Sequence, residues 1–165
     1  MEQHKHSPAH HGHAQDDSHD THDTHATWPA AFWATVHCAT GCVSGEVLGL
    51  MIGVSLGLSP WPIIALTTSL ALLFGLTLAS VPLARRLGTS VPAALGMVWL
   101  GETVSILTME SVMNAVDYLL GGMTSGTVWS TAFWLSMAVA IPVGFLATLP
   151  VNYVMIGRGI AKHDH

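Results

Sequence analysis

Residues 31–58 read AFWATVHCATGCVSGEVLGLMIGVSLGL, and this stretch decides the class of fold. From residue 34 onward it is apolar for longer than the roughly 20 residues that an α-helix needs to cross the core of a bilayer. Strands of a membrane barrel would be about ten residues long and would alternate between apolar and polar side chains. The stretch therefore predicts a transmembrane helix over residues 34–58.

Three similar apolar stretches follow, and they predict transmembrane helices over residues 61–83, 93–120 and 128–156. Proline, arginine and glycine mark the breaks between them, at Pro60, Arg85, Arg86, Gly88, Gly121 and Gly122. Only 9% of the residues are charged, whereas soluble domains carry about 25%. We therefore expect an all-α, four-transmembrane-helix bundle over residues 28–165, embedded in the lipid bilayer.

Residues 1–27 have a different composition and almost no apolar content. Eight histidines lie there, at His4, His6, His10, His11, His13, His19, His22 and His25, among five acidic residues and one lysine. Such segments cannot bury a core, so we predict a disordered tail that binds divalent metals weakly.

The basic residues follow the second and fourth predicted helices, at Arg85, Arg86, Arg158 and Lys162. The positive-inside rule places both segments, and therefore both termini, in the cytoplasm. No basic patch is large enough to indicate a nucleic-acid partner.

Two periodic patterns overlap in the first helix. Glycines recur every four residues, at Gly41, Gly45, Gly49, Gly53 and Gly57. This glycine ridge predicts close packing against another helix, and we expect the small chain to form a homo-oligomer. Cys38, Cys42 and Glu46 share the same spacing, with His37 in the turn of Cys38. The cysteines are interpreted as free thiols, since one helical turn does not readily close a disulfide.

The third helix, in GETVSILTMESVMNAVD (101–117), has one polar face. That face carries Glu102, Thr103, Glu110, Met113, Asn114 and Asp117, and Met109 lies just beyond it. Three carboxyl groups without a basic partner inside the membrane must be protonated, hydrated or bound to a cation. The alternative is a hydrogen-bonded network of neutral acids that joins the helices.

Together these residues predict a membrane protein that binds or transports a metal cation. We expect His37, Cys38 and Cys42 to capture the ion at the inner side and Glu46 and Glu102 to form a midplane site. Glu110, Met109, Met113, Asn114 and Asp117 would line the outer path. Sulfur ligands favour copper(I) or zinc as the transition-metal ion. Asn152 could contribute a ligand or satisfy a carbonyl left free by Pro150, and we favour the second role.

Two other functions stay open. The thiols are compatible with a membrane thiol oxidoreductase, or with a haem- or quinone-linked one. The chain could also be a structural assembly partner without chemistry of its own. The residue pattern favours a role that is not enzymatic.

Three segments carry a resemblance to a known family: HCATGCVSGEVLGLMIG (37–53), GETVSILTMESVMNAVD (101–117) and LPVNYVMIGRG (149–159). They resemble a bacterial membrane family of unknown function, domain of unknown function 4396, over roughly residues 31–160. The resemblance implies a small polytopic bundle in a bacterial inner membrane and brings no established activity.

Overall fold

A computed structural model describes residues 27–159, and the tail histidines, together with Lys162, lie outside this range. The described chain forms four α-helices and no strand. They are α1 (Trp28–Ser55), α2 (Pro60–Leu87), α3 (Val91–Leu119) and α4 (Thr131–Gly157). All four are long and apolar enough to cross a membrane. The predicted all-α bundle is confirmed, and the chain is a multi-pass membrane protein.

The helix ends differ from the predicted ones because local capping decides them. Helix α1 begins at Trp28, since the Thr27 hydroxyl accepts a hydrogen bond from the Ala30 amide. Helix α4 begins at Thr131, because the Ser130 hydroxyl caps the Phe133 amide. Side-chain caps of this kind satisfy amides that have no partner within the helix.

The prediction of a basic loop after the second helix is wrong. Helix α2 continues through Pro82 and carries Arg85 and Arg86 in its last turn. Positive charge is favourable there because the helix dipole is negative at its C-terminus. Gly88 then ends the helix with a left-handed φ of 62°, a conformation that glycine adopts without strain.

The helices form an up-and-down bundle joined by short connections. Helix α1 packs on α2 and α4, and α3 packs on the same two helices from the opposite side. Helices α1 and α3 therefore face each other across the bundle axis, where they also touch. The core residues of all four helices meet along this axis.

The glycine ridge of α1 packs on α2, which also presents a buried residue every four positions. Across this antiparallel contact Gly41 meets Gly75, Gly45 meets Ala71, Gly49 meets Thr67 and Gly53 meets Ile63. A Cβ atom added to Gly45 would lie 2.3 Å from the Ala71 amide nitrogen. The glycine ridge thus packs against a helix of the same chain, so it does not support the prediction of an oligomer.

Candidate functional site

The polar stripe of α1 points into the bundle. Cys38, Cys42 and Glu46 are buried, with exposed fractions of 2%, 0% and 0%. They follow one another every four residues, which places them on one helix face, directed across the axis toward α3. His37 lies beside this face and is only half-buried.

The two thiols are neighbours within α1. Their sulfur atoms lie 3.8 Å apart, and both cysteines are free, as predicted. They share one buried cluster with Met109 and Met113 of α3. The Met113 side chain also packs on Gly144 of α4, where an added Cβ would lie 2.6 Å from its Cγ. Two thiols and two thioethers thus occupy the same part of the core.

The carboxyl group of Glu46 meets two carboxyl groups of α3. It lies beside the carboxyl groups of Asp117 and Glu110. All three residues are at most 1% exposed. Within residues 27–159, both oxygens of Glu46 and of Asp117 and the Oε1 atom of Glu110 have no hydrogen-bond donor. Two neighbouring carboxyl groups can form a hydrogen bond with each other only if one of them carries a proton.

Glu110 connects this carboxyl cluster to the sulfur atoms. Its carboxyl group lies beside the Cys42 thiol as well as beside Glu46. Asn114, one turn further along α3, donates to the Glu110 carbonyl oxygen at 2.8 Å and to its Oε2 atom at 3.4 Å. The amide oxygen of Asn114 accepts a hydrogen bond of 3.0 Å from the Thr67 hydroxyl of α2.

Glu102 does not occupy the predicted midplane position beside Glu46. Glu46 lies beside Glu110 and Asp117, which follow Glu102 on α3 by eight and fifteen residues. At 1.5 Å per residue Glu102 is therefore roughly 12 to 22 Å away from that level along the axis. Glu102 is 6% exposed and lies close enough to Cys42 for its charge to act on that thiol.

A second hydrogen-bonded group lies at the opposite end of the bundle axis. The Asn152 amide donates to the Thr35 hydroxyl at 2.9 Å, and the Ser105 hydroxyl donates to the Asn152 amide oxygen. The predicted role of Asn152 as a partner for a carbonyl near Pro150 is therefore wrong: its side chain joins α4 to α1 and α3.

These polar and sulfur-bearing side chains follow one another along the bundle interior, and we call them the axial column. In order it contains Thr35, Ser105, Asn152, Cys38, Cys42, Glu110, Asn114, Thr67, Glu46 and Asp117. Thr35, Thr67 and Ser105 were not among the predicted site residues. The buried period-four pattern of α2 could have indicated Thr67. Helical periodicity could have indicated Thr35, on the face of Cys38 and Cys42, and Ser105, next to Glu102 and Met109.

Positive charge is absent from the column. Within residues 27–159 the lysines and arginines are Arg85, Arg86 and Arg158, all of them exposed near the helix ends. Over the same residues, no three or more His, Cys, Asp and Glu side chains form a group that could hold a metal ion as they stand. The column is therefore acidic, uncompensated and not closed around a metal.

The fold and the column define an all-helical, multi-pass membrane protein with a buried acidic and sulfur-bearing axis. The family described as "Domain of unknown function (DUF4396)" matches residues 27–161, and the chain belongs to that family. Neither the curated proteins nor the solved structures gave a match.

Proposed function

We propose that the protein binds a transition-metal cation in its axial column and carries it across the membrane. The observation that supports this most is the cluster of Glu46, Glu110 and Asp117, which is buried and lacks a basic partner. Uncompensated carboxylates inside a membrane are costly. A bound cation would supply the missing charge and would accept the oxygen atoms that have no donor.

The spacing of the two thiols adds support for a metal. Two sulfur atoms that bind a tetrahedral zinc ion at about 2.3 Å are separated by about 3.8 Å. The Cys38 and Cys42 sulfur atoms are 3.8 Å apart. A weak thiol hydrogen bond has the same length, so the distance by itself does not distinguish the two interpretations.

The ligand types favour zinc or copper(I) as the transported ion. Cys42 lies beside Glu110, so a thiolate and a carboxylate can reach one ion, a mixed set typical of zinc. Met109 and Met113 share the sulfur-rich cluster, and thioethers favour copper(I). Binding requires these side chains to close around the ion, which suits a transporter because a transported ion must also leave.

The test is metal analysis of the full chain after equilibration with zinc or copper(I). A background in which the eight tail histidines and His163 and His165 are changed to alanine removes the histidine clusters outside the column. We expect bound metal in this background and a loss of at least one ion per chain in Cys38→Ala/Cys42→Ala and in Glu110→Gln. Ser44→Ala, an exposed change on α1, is the matched control. Equal metal content in all four proteins would refute the proposal.

A proton is the second candidate cation. Carboxyl groups that meet without any other donor are favoured by proton sharing. Proteoliposomes without added metal would distinguish the candidates: proton flux that Glu46→Gln abolishes would indicate a proton pathway. Flux that requires zinc or copper(I) would indicate metal transport.

The proposal includes a bacterial inner-membrane location with both termini in the cytoplasm, on the side of Arg85, Arg86 and Arg158. The homo-oligomer and a metal-binding role for the tail histidines stay predictions. So do the oxidoreductase and assembly alternatives, which nothing in the column favours over a cation site.

A further inference from the structure

A groove of about 560 Å³ lies between α2 and α3. Its walls are mainly apolar and aromatic, and Glu110 and Asn114 contribute polar side chains to it. Pockets of several hundred cubic ångströms with a few polar groups are typical of sites for small organic molecules. The volume is far larger than a metal ion requires.

The groove is on the outer surface of the bundle. Trp61, Leu107 and Tyr118 line it and are exposed by 80%, 42% and 55%. Trp61 lies in the first turn of α2 and Tyr118 in the last turn of α3, so both aromatic rings are at the same end of the bundle. Tryptophan and tyrosine prefer the boundary between lipid and water. A molecule dissolved in that boundary can therefore reach the groove sideways.

The groove has an acidic group and no positive charge. None of its ten lining residues is basic. Glu110 is 1% exposed, and its Oε1 atom has no hydrogen-bond partner among the described residues. The Asn114 amide cannot supply that partner, because it donates to the Glu110 carbonyl and Oε2 atoms. Glu110 and Asn114 therefore form a buried and acidic part of the groove wall.

We propose that this groove binds a hydrophobic organic cation taken from the membrane interface. The Glu110 carboxylate would neutralise the cation, and the faces of Trp61 and Tyr118 would attract it through their π-electrons. Apolar groups on the ligand would contact Ile64 and Leu107. A neutral amphiphile would fill the groove equally well but would leave the Glu110 carboxylate without a counter-charge.

This site is separate from the proposed metal pathway except at Glu110 and Asn114. It needs neither the thiols nor Glu46, so Cys38→Ala/Cys42→Ala keeps the groove intact. A ligand in the groove and a metal in the column would compete for one carboxylate. Failure of metal binding would leave the groove proposal untouched, and the converse also holds.

The test is binding of tetraphenylphosphonium to the full chain in lipid nanodiscs, measured by equilibrium dialysis without added metal. We expect saturable binding that weakens about tenfold or more in Glu110→Gln, a loss of roughly 1.4 kcal/mol. Ala115→Trp, which fills the groove from an exposed position, should block binding. Trp61→Ala should weaken binding, while Trp99→Ala, an exposed tryptophan outside the groove, should not.

Three results would overturn the proposal. One is wild-type binding no greater than that of empty nanodiscs. Another is equal binding by wild type and Ala115→Trp. The third is equal affinity for neutral triphenylphosphine oxide, which would show that charge does not select the ligand. Trp61→Ala keeps the test decisive if Glu110→Gln does not fold, because its side chain is mostly exposed.

Discussion

The side-chain amide of Asn152 on α4 donates a hydrogen bond of 2.9 Å to the hydroxyl of Thr35 on α1, and it does so in the buried interior. The same asparagine accepts from Ser105 on α3. One side chain therefore joins three helices at one end of the axial column. At the other end three carboxyl groups meet, and five of their six oxygen atoms have no donor among the described residues. The first group stabilises the bundle, and the second is the part of the column where we propose that a cation binds.

Removing the Asn152 contact should destabilise the bundle. Interhelical hydrogen bonds in membranes contribute about 0.6 kcal/mol each on average. With two bonds lost, Asn152→Ala should lower the free energy of unfolding by about 1 kcal/mol, measured by SDS titration in mixed micelles. A double-mutant cycle with Thr35→Val isolates the pair. Strictly additive effects would mean that the two residues are not coupled.

Gly45→Ala should separate α1 from α2. The added Cβ would lie 2.3 Å from the Ala71 amide nitrogen, which is backbone and cannot rotate away. Overpacking of this kind costs about 1–3 kcal/mol, measured by the same titration. Gly96→Ala is the matched control, because no neighbouring atom lies within 4 Å of its Cβ position. If both variants had the same free energy of unfolding, the described packing of the glycine ridge against α2 would be wrong.

Glu46→Gln should stabilise the protein when no metal is present. Glutamine brings N–H donors to the Asp117 oxygens and to the Glu110 Oε1 atom, which lack them, and it cannot carry a negative charge. Satisfying a buried acceptor is worth about 1 kcal/mol. The unfolding midpoint of the metal-free variant should rise, and added zinc should no longer raise it further. A lower midpoint without metal would contradict the carboxyl cluster.

The thiols should react slowly in the folded protein. Cys38 and Cys42 are 2% and 0% exposed, so a maleimide reaches them only when the bundle opens. Mass spectrometry should show two labels per chain after unfolding and almost none before. Ser59→Cys in a Cys38→Ala/Cys42→Ala background gives an exposed thiol in the connection between α1 and α2, which should label quickly. Rapid labelling of the native cysteines would show that the column is open.

The number and type of the elements were predictable from local sequence. Long apolar runs can cross a bilayer only as helices, because only helices satisfy their own backbone there. The helix ends were less predictable, since Thr27 and Ser130 set them through caps that apolar runs do not show. Arg85 and Arg86 were assigned to a loop because charge was treated as the end of the span.

The residue types of the candidate site were predictable from the sequence, but their spatial arrangement was only partly predictable. The face positions of Cys38, Cys42 and Glu46 follow from helical periodicity. Which carboxyl groups of α3 meet Glu46 depends on the axial register of two helices that are far apart in sequence. That register follows from the helix ends and the packing of the bundle, and no pattern within either helix encodes it.

By itself, the sequence determined that this is a four-helix membrane protein with acids and thiols on the inward faces of two helices, because periodicity and hydropathy are local properties. Only the tertiary structure decided that Glu46 meets Glu110 and Asp117, that Asn152 joins three helices, and that a groove leads to Glu110. These are contacts between helices. They depend on side chains that pack against one another only when all four helices are in place.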